Sequence, residues 1–203
     1  MPRIIGITGN IACGKTAVGH ILLELGAERY IDADALVHEL YQSGKPIAVK
    51  VAEAFGPAVV APDGSIDRKA LGAMVFQDAE AMQRLESIVH PAVGLAIANE
   101  LAAVSPRGIA IIDAVKLLEG GSAALCQSIW LVVCTEEQEF ARLVARSRLS
   151  PEEALARIRA QPPVANKLPL VDEIIENSGS LEETRRQVVA AFERFSRLFP
   201  VQV

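Results

Sequence analysis

The run Gly9-Asn10-Ile11-Ala12-Cys13-Gly14-Lys15-Thr16 matches G-x-x-x-x-G-K-[ST] at every fixed position. Glycine adopts torsions that other residues resist, so successive main-chain N–H groups in such a run can turn inward toward phosphate oxygens. A helix starting near Lys15 would aim the positive end of its dipole at the same anion. The spacing therefore predicts a cradle for a nucleoside triphosphate, made of Gly9, Asn10, Ile11, Ala12, Cys13, Gly14, Lys15, Thr16 and Ala17. Lys15 is expected to reach the β- and γ-phosphates, and the Thr16 hydroxyl to ligate Mg2+. The bland alternative is a glycine turn beside a chance lysine. A strand before the run and a helix after it argue against that.

Several other side chains have the chemistry to serve such a cradle. Asp113 closes the apolar run Ile109-Ala110-Ile111-Ile112. A carboxylate at the C-terminal tip of a strand lies at the mouth of an α/β sheet, where ligands bind. Asp113 is thus a candidate for the metal-side acid or an acceptor contact, with a solvated strand end as the alternative. Asp32 and Asp34 close an earlier strand, where residues two apart share a face. One would take the acceptor's proton and the other would orient the acceptor or the metal shell; an Asx turn capping the next helix is the competing reading. Arg142 and Arg146 are four apart on a predicted helix, on one face, suited to the equatorial oxygens of a transferring phosphoryl group. Solvated arginines are the alternative there, and more so for Arg157 and Arg159. His90-Pro91 interrupts a helical stretch, and a lone histidine is more often structural than functional. His20 and His38 lack metal-ligand spacing.

The elements that must position these residues are legible from periodicity. Ile4-Ile5-Gly6-Ile7 reads as a buried strand, followed by a helix from Lys15 to Leu25 with Val18, Ile21, Leu22 and Leu25 on one stripe and Gly26 as its stop. Glu28–Ile31 reads as a second strand. A mostly helical region from about Ala35 to Val104 follows, punctuated by Pro57 and Pro62-Asp63-Gly64. Ile109–Ile112 and Ile129–Val133 are uniformly apolar, as central parallel strands are. Ser150-Pro151-Glu152-Glu153 and Ser180-Leu181-Glu182-Glu183 spell capping boxes at two helix starts. The second helix carries Leu181, Val188, Phe192 and Phe195 as its apolar stripe, and Leu170–Ile175 holds a last short strand. Strands alternating with helices imply an α/β fold, a parallel sheet covered on both faces.

The 203 residues suit one domain with insertions, and 51% apolar residues supply a core. A net charge of −5 argues against broad nucleic-acid binding. Cys13, Cys126 and Cys134 are odd in number and carry no zinc spacing, which suggests reduced thiols in the cytoplasm. No signal peptide or membrane span is expected. Cys13, at a helix N-terminus two residues from Lys15, is expected to be a reactive low-pKa thiol.

In order along residues 4 to 190, the chain resembles the dephospho-CoA kinase family. The resemblance rests on Ile7-Thr8-Gly9 through Thr16, and on Leu25-Gly26 with Ile31-Asp32-Ala33-Asp34. Gly64-Ser65-Ile66-Asp67-Arg68, Leu71, Val75-Phe76, Leu85-Glu86 and His90-Pro91 follow. Then come Arg142, Arg146, Leu149 to Ala154, Arg157-Ile158, Gln161 and Asn177-Ser178-Gly179. The glycine loop is shared with many P-loop families; the acidic pair, His-Pro and the helix ending in Gln161 are more specific together. The resemblance implies a P-loop kinase with a nucleotide core (about 1–34, 105–137 and 170–203), a helical CoA-binding insertion (about 35–104) and a lid (about 138–169). It implies ATP and dephospho-CoA as substrates, Mg2+ as cofactor, Asp34 as general base, and His90 near the acceptor. It also implies Arg142 and Arg146 over the phosphates. A monomer or small homo-oligomer is expected. The chain departs from the family's habit at Ala12 and Cys13, at Val115-Lys116 where a proline is usual, at Glu139 where a lid glutamine aligns, and at Ser147-Arg148. A nucleoside monophosphate kinase and a non-catalytic nucleotide-binding regulator are the competing readings. No Asn-Lys-x-Asp guanine signature is present.

Overall fold

The computed structural model describes residues 1–76, 78–146 and 149–200, so Ser147-Arg148 lies outside the described residues. Five strands form one parallel sheet: β1 (Arg3–Thr8), β2 (Arg29–Asp32), β3 (Ile109–Asp113), β4 (Ser128–Val133) and β5 (Glu173–Glu176). Their spatial order is β2-β3-β1-β4-β5. The apolar runs became strands because both sheet faces are covered. Every residue of β3 is buried, and Ile5, Ile7, Ile111, Trp130 and Val132 form the main core with Val18, Leu22, Val188 and Phe195. On the opposite face Gly6 leaves room for Leu117 and Cys126; a Cβ there would sit 2.7 Å from Leu117 Cδ2. Because the chain leaves β1 toward one edge and later crosses it toward the other, the C-terminal ends of β3, β1 and β4 frame the crevice where such sheets bind ligands.

Helix α1 (Lys15–Glu24) buries Val18, Ile21 and Leu22, the expected stripe, with Leu25 partly buried at its end and Gly26 leaving at φ 108°. Helices α2 (Ala33–Leu40), α3 (Pro46–Phe55), α4 (Arg68–Val75) and α5 (Ala79–Ala102) occupy the region between β2 and β3. Helices α6 (Glu136–Arg146), α7 (Pro151–Arg159) and α8 (Leu181–Leu198) follow β4. Both expected capping boxes form: Ser150 Oγ accepts from Glu153 N–H and Ser180 Oγ from Glu183 N–H, each with the reciprocal glutamate bond.

Four sequence expectations need correction. The helix is not interrupted at His90-Pro91; α5 runs through Pro91, which forgoes one backbone bond inside a long helix. Asp34 is not a strand residue beside Asp32, because α2 begins at Ala33 and takes Asp34 into its first turn. Leu170 belongs to a 3-10 turn (Leu168–Leu170), and the last strand starts only at Glu173. Leu181 is 65% exposed, since the buried stripe of α8 starts a turn later at Thr184.

Chain contacts divide the protein into two units, Met1–Asp32 with Leu101–Val203, and Ala33–Glu100. The second unit has its own core of Tyr41, Ile47, Val51, Val59, Ile66, Leu71, Val75 and Val89. Asp67 caps α4 there, accepting from Lys69 and Ala70 N–H groups at 2.9 and 3.0 Å.

Candidate active site

The loop from Gly9 to Gly14 turns the chain from β1 into α1 through three left-handed residues. These are Gly9 at φ 148°, Ala12 at φ 61° and Gly14 at φ 100°. Ala12 is the one non-glycine residue with positive φ among those described, and such strain persists where the surroundings impose it. Here they do, for Ala12 is buried with Leu143, Ala154 and Ile158 of α6 and α7, and Ile11 packs beside it. The glycines are needed for close approach: a Cβ on Gly9 would meet the Val132 carbonyl oxygen at 2.3 Å, and one on Gly14 would meet Asn177 Nδ2 at 2.0 Å.

Side chains from three later segments hold the loop. Asn177, buried after β5, donates from Nδ2 to the Cys13 carbonyl (2.8 Å) and accepts from Thr184 Oγ1 (2.8 Å). Arg142 of α6 donates to the same Cys13 carbonyl (3.3 Å) and to the Asn177 carbonyl (2.9 Å). Gln161, just past α7, accepts from the Ile11 amide at 2.7 Å. Lys15 Nζ folds back onto the Gly9 and Asn10 carbonyls at 3.2 and 3.3 Å. Thr16 is exposed in the first turn of α1.

The charges around the loop are partly sunk into the protein. Asp113 is 4% exposed, so it is not a solvated strand end; it pairs in register with Ile7 on one side and Asp32 on the other. The Tyr30 hydroxyl donates to Asp113 Oδ2. Burial, and then the Asp113 charge, push the Tyr30 phenol above its ordinary pKa, while a hydrogen bond with Thr16 opposes them. Lys167 is 3% exposed and donates to the Val115 carbonyl (3.2 Å), which also accepts from Thr8 Oγ1 (3.1 Å). Burial lowers the Lys167 pKa; Glu119 opposes this, and Lys15 adds to it. Glu139 is also buried. Desolvation and the neighbouring Glu136 raise its pKa, against the pull of Lys15, Asn10 and Lys167.

Cys13 does not behave as its sequence position suggests. Its thiol is fully buried in the main core, and that burial raises its pKa despite the opposing charge of Lys15. Being a core side chain outweighs lying at a helix N-terminus.

A cradle of left-handed turns on a parallel sheet is common to many kinases; the rest of the chain decides which. The dephospho-CoA kinase family model (CoaE) matches residues 3–183. The chain belongs to the dephospho-CoA kinase family. It is 47% identical over 192 residues to the dephospho-CoA kinase of Symbiobacterium thermophilum, covering 94% of this chain and 80% of that one. It is 41% identical to the Carboxydothermus hydrogenoformans dephospho-CoA kinase, covering 95% and 94%. Among solved structures, the Thermus thermophilus protein TT1252 superposes with a TM-score of 0.81 at 35% identity, over 96% of this chain and 97% of that one. The Campylobacter jejuni dephospho-CoA kinase superposes at 0.67 and 27% identity, over 97% and 98%.

In this dephospho-CoA kinase family member, the expected site residues fall into two groups. Gly9 to Ala17, Asp32, Asp113, Arg142 and Arg146 belong to the unit that contains the sheet. Arg146 is exposed, one turn beyond Arg142 at the end of α6. Asp34 and His90 belong to the helical unit, both exposed, on α2 and α5. Sequence reasoning gave no role to Tyr30 or Lys167. The signal for Tyr30 was its place two residues before Asp32 on one strand. Lys167 had none, since it lies in a 3-10 region between elements.

The oxygen donors suit Mg2+. Among the described residues no group of three or more His, Cys, Asp or Glu side chains could cage a metal. A hydroxyl (Thr16) and a carboxylate (Asp113) are hard ligands that complement an ion arriving with nucleotide phosphates, the usual way proteins hold Mg2+.

Proposed function

We propose that the protein transfers the γ-phosphoryl group of ATP to the ribose 3′-hydroxyl of dephospho-CoA, giving coenzyme A and ADP. The observation that carries this reading is the loop itself, a left-handed turn pinned by Asn177, Arg142 and Gln161 with Lys15 at its mouth. Family membership supports dephospho-CoA as the acceptor.

The Gly9–Ala17 run and the N-terminus of α1 cradle the triphosphate, with the Ile11 amide already engaged by Gln161. Lys15 leaves the Gly9 and Asn10 carbonyls for the β- and γ-phosphate oxygens, exchanging neutral acceptors for charged ones. Arg142, already against the loop, adds positive charge as the phosphoryl group moves, and Arg146 extends it. Thr16, with Asp113, would hold Mg2+, which would supply positive charge against that of the phosphates. Asp34 takes the proton of the attacking hydroxyl, and Asp32, Asp113 and His90 orient the acceptor. The transition state is loose, so charge stabilisation outweighs the base. Three free thiols accord with a cytoplasmic setting.

The test is to incubate the purified protein with Mg-ATP and dephospho-CoA and follow the acceptor by mass spectrometry. A gain of one phosphate, absent with a panel of nucleoside monophosphates, is expected. Phosphorylation of a monophosphate with none on dephospho-CoA would overturn the reading. Asp34→Asn should lower kcat by roughly 100-fold or more, the usual contribution of a general base, while leaving ATP affinity in place.

A further inference from the structure

We propose that Tyr30 is a positioning residue of the metal–nucleotide site: its ring, seated on Gly19, sets the phenol between Asp113 and Thr16 and so fixes both oxygen donors where Mg2+ is received. The inference rests on the reading that Thr16 and Asp113 face a metal-bound nucleotide.

Three elements converge on this one side chain. Tyr30 and Asp32 are alternate residues of β2 and so share a face of the sheet. The register pairs Tyr30 with Ile111 and Asp32 with Asp113, so the tyrosine stands two residues upstream and spans the gap with its own length. Its hydroxyl donates to Asp113 Oδ2. From above, α1 presents Thr16 and Gly19, three residues apart and therefore on one helix face. Gly19 is what lets the ring in. A Cβ at that position would lie 2.2 Å from Tyr30 Cε2 and 2.5 Å from Cδ2. Thr16 therefore lies on the face of α1 that the ring packs against, one turn from Gly19. His20 closes the ring's edge at a centroid distance of 6.2 Å.

The arrangement has a direct chemical consequence. A ring clamped between a helix and a sheet has little freedom, so its hydroxyl is a fixed point. The hydrogen bond occupies one oxygen of the Asp113 carboxylate and sets the plane of the group. The ring's seat on Gly19 ties that plane to α1, one turn from Thr16. Partners of this kind orient the groups that bind a metal, and their removal typically weakens metal affinity about 10- to 100-fold. Phenylalanine at position 30 would fill the same space and donate nothing.

The experiment measures metal binding directly. Mn2+ binding to the full chain is followed by electron paramagnetic resonance in the presence of ADP, for the wild type and Tyr30→Phe. The expected result is a Mn2+ Kd raised about tenfold in Tyr30→Phe, with ADP affinity in EDTA unchanged and the melting temperature close to wild type. In an Asp113→Asn background, Tyr30→Phe should add less than it does alone, because the two side chains act through one contact. Equal Mn2+ affinities in wild type and Tyr30→Phe would overturn the inference, as would a wild type that binds no Mn2+ with ADP. The acceptor plays no part in this measurement. A wild type that leaves dephospho-CoA unmodified, together with weakened Mn2+ binding in Tyr30→Phe, would therefore remove the proposed acceptor and keep the role of Tyr30.

Discussion

Glu139 is a carboxylate 4% exposed beside a loop built for anions. Burial and Glu136 outweigh Lys15 and Lys167, so its folded pKa lies above its unfolded value. The folded protein therefore binds this proton more tightly than the unfolded chain does. Stability is greatest below the unfolded pKa and falls as pH rises through the folded one. Glu139→Gln should accordingly be more stable than wild type at pH 8, with the gap closing toward pH 5, as read from denaturant melts across that range. The same change removes a negative charge near the phosphates. A screened repulsion of about 1 kcal/mol corresponds to ATP binding roughly fivefold tighter at pH 8, measurable by calorimetry. Lys15 and Thr16 were legible in the sequence because their spacing is itself the chemistry. Asn177 and Lys167 were not, because their roles depend on which loop they touch: the Cys13 carbonyl lies 164 residues from Asn177, and the Val115 carbonyl 52 from Lys167.

At the scale of elements, α1 holds the loop and the tyrosine at once. Glycine inside a helix is ordinarily worth replacing, since alanine gains about 1 kcal/mol in an interior position. Gly19 should reverse that rule. The alanine methyl would strike the Tyr30 ring, so Gly19→Ala should destabilise the protein. In a Tyr30→Ala background the same substitution should stabilise it by about 0.5–1 kcal/mol. A four-member thermal or urea cycle reads the difference; equal effects in the two backgrounds would show that the ring does not rest on this helix. The capping boxes of α7 and α8 could be read directly, because both partners lie within four consecutive residues. The continuity of α5 through Pro91 could not, because the residues around it form long-range packing that tolerates one missing backbone bond.

For the whole molecule, the nucleotide loop and its supports lie in the unit formed by Met1–Asp32 and Leu101–Val203. ADP binding should therefore stabilise that unit first. At a concentration about 100 times its Kd, mass action adds roughly 2.7 kcal/mol. Lys15→Met should abolish most of the resulting shift in melting temperature. Hydrogen exchange should show new protection at Gly9–Ala17 and around Asn177, with little at Val51 and Leu71 in the core of the helical unit. Protection spread evenly over both units would contradict this.

By itself the amino-acid order determined the α/β class, the phosphate loop and its lysine, and the two capped helices. Each is encoded in a stretch short enough for neighbouring residues to decide. Tertiary structure alone decided that Cys13 is core and not a reactive thiol, that Asp113 is buried under a tyrosine, that Lys167 reaches the Val115 carbonyl, and that Asn177 reaches the phosphate loop. Burial, and the meeting of residues distant in the chain, exist only once the sheet has brought its strand ends together.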